Sequence, residues 1–182
     1  MSNGYGFERN AHRKDPYKNY KFRIKWDPEG DDNPRTVLGV SKISALKRTT
    51  EVITHRSGGE NSRDHKSPGR TSYEGITCER GITHDKDFER WANKVHAHAG
   101  DTSMDLVGYK KNLILEVLNE KGHVVLSYNL YDCWISDYTA VPDLDANANA
   151  FAIESLKIEL ESWARDTEVS EPDESTDVPQ PG

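Results

Sequence analysis

Long apolar runs are absent from this chain of 182 residues. None approaches the ~20 consecutive apolar residues that carry a helix across a bilayer, and the polar residues 1–20 lack the apolar centre of a secretory signal. These absences lead us to expect a chain made and kept in a cytoplasm, with no membrane anchor. Cysteine is scarce. Cys78 and Cys133 each sit in a strand-like run and read as small buried hydrophobes rather than as a disulfide. Apolar residues make up only 34% of the chain, against 30% charged, and mean hydropathy is -0.86. Such polarity suits a subunit that completes its burial by assembly better than a closed barrel with a large apolar interior. An excess of basic charge is missing too. The net charge is -7, and Glu168, Glu171, Asp173, Glu174 and Asp177 near the C-terminus account for most of it. The remainder is nearly balanced, so gross charge does not point to nucleic acid.

Catalytic and metal-binding patterns are also lacking. His96 and His98 are spaced to lie about 200° apart on a helix and cannot chelate together. Neither they nor His84 has the His or Cys partners that a four-ligand zinc site requires. Gly58 and Gly59 open no strand–loop–helix unit, which excludes a phosphate loop. Ser57, Ser67 and Ser72 stand in no nucleophile elbow. Nothing here argues for an enzyme, a cofactor or a metal.

What is present is mainly strand. In residues 20–26, Tyr20, Phe22, Ile24 and Trp26 face one way and Lys21, Arg23 and Lys25 the other. Single-strand nucleic-acid binders interleave aromatic and basic residues on one exposed face. Here the two sets are segregated, which is core against solvent or partner. Residues 27–35 read as a loop broken by Pro28, Gly30 and Pro34, and 36–44 as a second strand containing Gly39. Residues 109–118 and 123–131 form a hairpin turned at 119–122, with Gly122 supplying positive φ. Residues 133–138 continue that strand or add another. The last segment is ambiguous. Ile153, Leu156, Leu160 and Trp163 fit a helical stripe, whereas Leu156, Ile158 and Leu160 fit a strand face. Local propensity favours helix.

The chain is organised around residues 66–91. Ser67, Pro68 and Gly69 form a turn signal that predicts a sharp reversal. A strand pattern through Tyr73, Ile76, Cys78 and Ile82 follows, interrupted by Gly75 and Gly81. The period then changes: Phe88, Trp91, Ala92 and Val95 define one helical face, which places an anchored helix over 84–98 with Thr83 as N-cap and Gly100 as stop. Before it, residues 45–67 are long and polar, with a β-prone centre at 51–55 and then Gly58 and Gly59.

The ordered set Gly58, Gly59, Lys66, Pro68, Gly69, Tyr73, Ile76, Thr77, Arg80, Gly81, Thr83, Asp85, Phe88 and Trp91 resembles the tail tube proteins of contractile phages and the inner tube proteins of related contractile injection systems. The match runs from about Tyr20 to Trp163. The resemblance implies a mainly β domain over 20–166, an antiparallel β-barrel or sandwich of roughly six to eight strands with one short helix. It places a closing strand in the last segment. It also implies hexameric rings stacked into a tube, partnered by sheath, baseplate or spike, and cap proteins, with effector protein or DNA as lumen cargo. In that frame 45–67 is an extended inter-ring arm, with Arg48, Val52, Ile53, His55, Arg56, Gly58 and Gly59 as its contacts. Pro68, Gly69, Arg80 and Gly81 carry the turn and fold motif, and Phe88, Trp91 and Val95 anchor the helix. The basic arm 1–19 and the acidic, Pro-containing tail 167–182 are expected to be flexible extensions of the family core. The rival readings are a monomeric barrel holding a small molecule and the tube protein of a type VI secretion system, which shares the fold.

Overall fold

The computed structural model describes residues 17–26, 35–37, 39–56, 64–95, 108–145 and 151–170. Expectations for 1–16, 27–34, 57–63 (with Gly58 and Gly59), 96–107 (with His96, His98 and Gly100), 146–150 and 171–182 lie outside the described residues.

The chain is built from β1 (Phe22–Trp26), β2 (Arg35–Val37), β3 (Val40–Ile43), β4 (Arg48–His55), β5 (His65–Tyr73), β6 (Ile76–Gly81), α1 (Asp87–Val95), β7 (Lys111–Leu118), β8 (Val124–Thr139), β9 (Ile153–Glu159) and β10 (Ser162–Arg165). Every pairing is antiparallel. The main sheet runs β2-β1-β7-β8-β9-β6-β3, with β10 also on β8, while β4 and β5 pair only with each other. Among the described residues the fold is thus mainly β with one helix. Residues 35–43 supply both outermost strands of the main sheet, and the chain passes from one edge to the other at Gly39 (φ +80°).

β8 holds the two halves together. Its first part pairs with β7 and its last part with β9. Between them Asp132 takes φ 53°, and its N–H is held by Asn112 Oδ1 at 3.2 Å. A residue in the left-handed region locally bends an extended strand, so one strand can serve two sheets that face each other. Their inner faces share one core that includes Ile24, Trp26, Val37, Cys78, Leu113, Leu130, Leu156 and Ile158. α1 lays Phe88 and Trp91 onto this core. Trp91 meets the Trp26 ring edge-on at 5.0 Å, and its indole N–H donates to the Tyr109 carbonyl at 2.8 Å.

Several expectations need correction. The single strand expected over 36–44 is two strands on opposite edges, because Gly39 breaks it. No reversal occurs at Ser67, Pro68 and Gly69, which lie inside β5. Pro68 stands opposite Val52 just past a register shift, so the extra residue is absorbed as a bulge instead of a turn. Pro is tolerated there because β5 has a neighbour on one side only. The helix starts at Asp87 rather than 84, and Thr83 does not cap it. Asp85 does: its carboxylate accepts the Asp87 N–H at 3.0 Å, while Thr83 Oγ1 accepts from Asp85 N at 3.3 Å. Among the described residues the main sheet has eight strands, at the top of the six to eight expected, and the 45–67 region adds the two-stranded β4–β5 pair. The last segment is strand, against its local propensity. Leu156, Ile158 and Leu160 are buried while Lys157 points outward, and pairing with β6 and β8 outweighs the helical preference.

Candidate assembly surfaces

The most exposed built feature is a two-stranded arm. Cross-strand pairing begins in the main sheet, with Ile43 opposite Cys78. It continues through Ser44 N–H to the Thr77 carbonyl at 2.9 Å and Glu74 N–H to the Lys47 carbonyl at 3.1 Å. The same register then carries on from Arg48 opposite Tyr73 to Thr50 opposite Thr71, where the hydroxyls meet at 3.0 Å. β3–β4 and β5–β6 therefore form one long ribbon. One end is covered by the sandwich and the other projects from it. Every residue of β4 is exposed. Val52 and Ile53 retain 61% and 52% of their surface, and as successive strand residues they put apolar side chains on both faces of the ribbon. Gly69 lets the two strands approach here: a Cβ on it would lie 3.0 Å from Ile53 Cγ1 and 3.2 Å from the Glu51 carbonyl oxygen.

The base of the arm is tied down and the far end is polar. Tyr73 packs edge-on against Trp163 of β10, and the Arg48 guanidinium lies over the same indole at 5.7 Å. Arg48 is thus a base residue, whereas Val52, Ile53, His55 and Arg56 lie further out. His55 stacks on His65 at 5.5 Å, and Arg56 pairs with Asp64 at 2.7 Å.

Beneath the helix lies a buried charge cluster. Arg80, 1% exposed, sits opposite Glu154 across the β6–β9 ladder and forms an ion pair with it. It also binds the Asp85 carboxylate and carbonyl, each at 2.9 Å, and lies 3.7 Å above the Phe88 ring. Tyr138 donates to the other Glu154 oxygen at 3.2 Å. One guanidinium therefore joins sheet, helix cap and helix. Burial on its own would raise the Asp85 pKa, but the Asp87 N–H and Arg80 hold it below its ordinary value. Burial and the Glu154 charge push the Tyr138 phenol up.

The basic face of β1 is not free either. Arg23 and Lys25 both bind Glu116 of β7, Lys25 at 2.8 Å. Burial would raise Glu116, yet the two cations win and hold it low. Burial also pushes the free thiols of Cys78 and Cys133 up to about 12, where they are inert. Among the described residues no group of His, Cys, Asp and Glu is arranged to hold a metal ion, and no helix is long and apolar enough to cross a membrane. The cavity between the two inner faces, lined by residues such as Ile24, Trp26, Leu113 and Leu156, is only ≈ 10 Å³.

Glu154, Glu116 and Trp163 were missed as partners in the sequence. Arg80 and Glu154 are 74 residues apart, and Arg23 and Glu116 are 93 apart. The available signal was a single charge at an inward strand position, which predicts a buried partner without naming it.

A family model described as T4-like virus tail tube protein gp19 matches residues 18–164. A chain in the cryo-EM structure of the anti-feeding prophage baseplate, 6-fold symmetrised, is similar with TM-score 0.71 and 22% identity, covering 84% of this chain and 97% of that one. A chain of the PVC extracellular contractile injection system, from its sheath-tube complex in the extended state, aligns with TM-score 0.65 and 18% identity over 84% and 93%. One from the tube-terminating cap of the anti-feeding prophage gives 0.66 and 21% over 85% and 93%. No curated protein sequence matches. At these identities the structural likenesses establish the fold.

Proposed function

The chain belongs to the T4-like virus tail tube protein family, and from that membership we propose that it is the structural subunit of the inner tube of a contractile tail or injection system. Copies close into hexameric rings, rings stack into a hollow conduit, and shortening of a surrounding sheath drives the conduit forward. Effector protein or DNA occupies the lumen. Sheath, baseplate or spike, and cap proteins meet its outside and ends, a reading supported by the baseplate, sheath-tube and cap assemblies in which chains of this fold occur. Subunits wait in a cytoplasm and are consumed into the particle.

The observation that carries this reading is the ribbon. A monomer gains nothing from an arm whose apolar residues Val52 and Ile53 face water, and exposed two-stranded β-structure invites pairing with another chain. In an assembly the arm spans the joint between rings, with Val52, Ile53, His55 and Arg56 as contacts. Stacking of this kind is head-to-tail and does not close, which yields a filament. The monomeric ligand-binding barrel is disfavoured by the filled core: its cavity is ≈ 10 Å³, against roughly 300–1,000 Å³ for ligand pockets. The larger space of ≈ 530 Å³, lined by Tyr20, Phe22, Ile43, Leu115 and Val117, is an open cleft between β1, β7 and β3 and not a barrel interior. Negative-stain electron microscopy of the purified chain tests the proposal. Rings or tubes are expected; small featureless particles at every concentration would overturn it.

A further inference from the structure

The main sheet has two poles. At one, the arm leaves it where β5 passes into β6 beside Glu74. The other end is six residues along β6, about 20 Å at strand rise. There Gly81 pairs with Ile153, and Ile82 N–H donates to the Ala152 carbonyl at 3.1 Å. β8 ends at the same place, with Thr139 opposite Ser155. The segments that leave the sheet at this second pole carry five exposed apolar side chains: Ile82 (42%), Val141 (58%), Leu144 (78%), Phe151 (94%) and Ile153 (41%). Exposed apolar residues concentrated on the segments at one end of a sheet mark a contact surface.

The charges of the two ends are complementary. The described arm residues 48–56 and 64–73 hold Arg48, Arg56, Lys66 and Arg70 against Glu51 and Asp64; Arg56 is paired with Asp64, and the exposed Lys66 and Arg70 lie on β5 within this basic excess. The second pole carries the exposed Asp143 and Asp145; residues 139–145 and 151–153 include no Lys or Arg, and the exposed Lys86 beyond Ile82 stands between Asp85 and Asp87. A basic arm with apolar side chains thus projects from one end of the sheet, and an acidic apolar surface lies at the other. Two such surfaces on opposite ends of one molecule fit copies of that molecule in series.

We infer that the pole formed by Ile82, Val141, Leu144, Phe151 and Ile153 is the seat for the Val52/Ile53 arm of a second copy in the adjacent ring. The inference rests on the reading of the arm as an inter-ring contact and supplies the surface it meets. Lys66 and Arg70 then lie toward Asp143 and Asp145, opposite charges that fix which way the copies stack.

The test pairs variants of the two ends. In Leu144→Asp/Phe151→Asp the changed side chains are almost wholly solvent-facing, so the melting midpoint should match wild type. Rings should form and pelletable tubes should be lost. In a second variant, Ile53→Cys/Phe151→Cys, mild oxidation of assembled material should give a ladder of cross-linked chains on a non-reducing gel, absent from either single variant. Normal tubes from the Asp variant, or no ladder beyond that of the single variants, would overturn the assignment of this pole. Replacing residues 52–56 by Gly and Ser separates the two ideas. If that change abolishes tubes while the Asp variant does not, the arm stands and the seat is elsewhere. If it leaves tubes normal, the arm is not an inter-ring contact and the seat falls with it.

Discussion

Arg80 and Glu154 stand opposite each other on β6 and β9, buried and paired, and the start of the helix is fixed to the sheet at that pair. The Arg80 guanidinium is shared by Glu154, by the Asp85 carboxylate and carbonyl and by the Phe88 ring face. Removing one partner of a buried ion pair leaves the other charge without compensation, at about 3–5 kcal/mol. Arg80→Ala should therefore lose about that much stability in urea unfolding. Arg80→Lys should recover only part, because an ammonium cannot form the two-pronged contact with Asp85. A midpoint unchanged in Arg80→Ala would show that the pair contributes nothing to the fold.

Trp91 is the second anchor. It is 1% exposed, touches Trp26 edge-on and donates to the Tyr109 carbonyl. Trp91→Ala should cost about 3–5 kcal/mol through the cavity it leaves. Trp91→Phe keeps most of the volume but orphans the Tyr109 carbonyl, and it should cost less. Thermal unfolding of the two variants checks both the size and the order.

The fold was legible where neighbouring residues report on the same face. Strict alternation in residues 20–26 and the Gly122 turn marked β1 and the β7–β8 hairpin from sequence alone. Other features were not legible because distant pairing decides them. Ser67, Pro68 and Gly69 carry a turn signal, yet opposite Val52 they form a bulged edge strand. The last segment has helical propensity, but two neighbouring strands make it β9. At the candidate surfaces, the exposure of Val52 and Ile53 could be anticipated from a polar context. The base role of Arg48 could not, because Trp163 lies at the far end of the chain.

Acid should loosen the β1–β7 contact. Glu116 is held below its ordinary value of 4.5 in the folded chain by Lys25 and Arg23. A carboxylate depressed on folding adds stability that is complete above its unfolded value and is lost as pH falls through the folded one. Unfolding free energy should therefore fall once pH drops below 4.5, the ordinary value. Glu116→Gln should be less stable than wild type at neutral pH and depend less steeply on pH below it. Parallel acid limbs for the two proteins would assign the dependence to other groups.

The arm should be dispensable for folding and for rings. Replacing residues 52–56 by Gly and Ser removes Val52, Ile53, His55 and Arg56 while leaving the base contacts of Arg48 and Tyr73 with Trp163 in place. The melting midpoint should move little, since every substituted residue is exposed. Sedimentation should show rings without the long tubes of wild type.

Self-assembly into a closed ring is tested most directly by native mass measurement on this arm-replaced variant, in which rings are not drawn into tubes. A single dominant species at six times the 20.6 kDa subunit mass is predicted, with end-on projections showing a central hole. A species of monomer mass at every concentration, with no hollow particles in projection, would contradict the account.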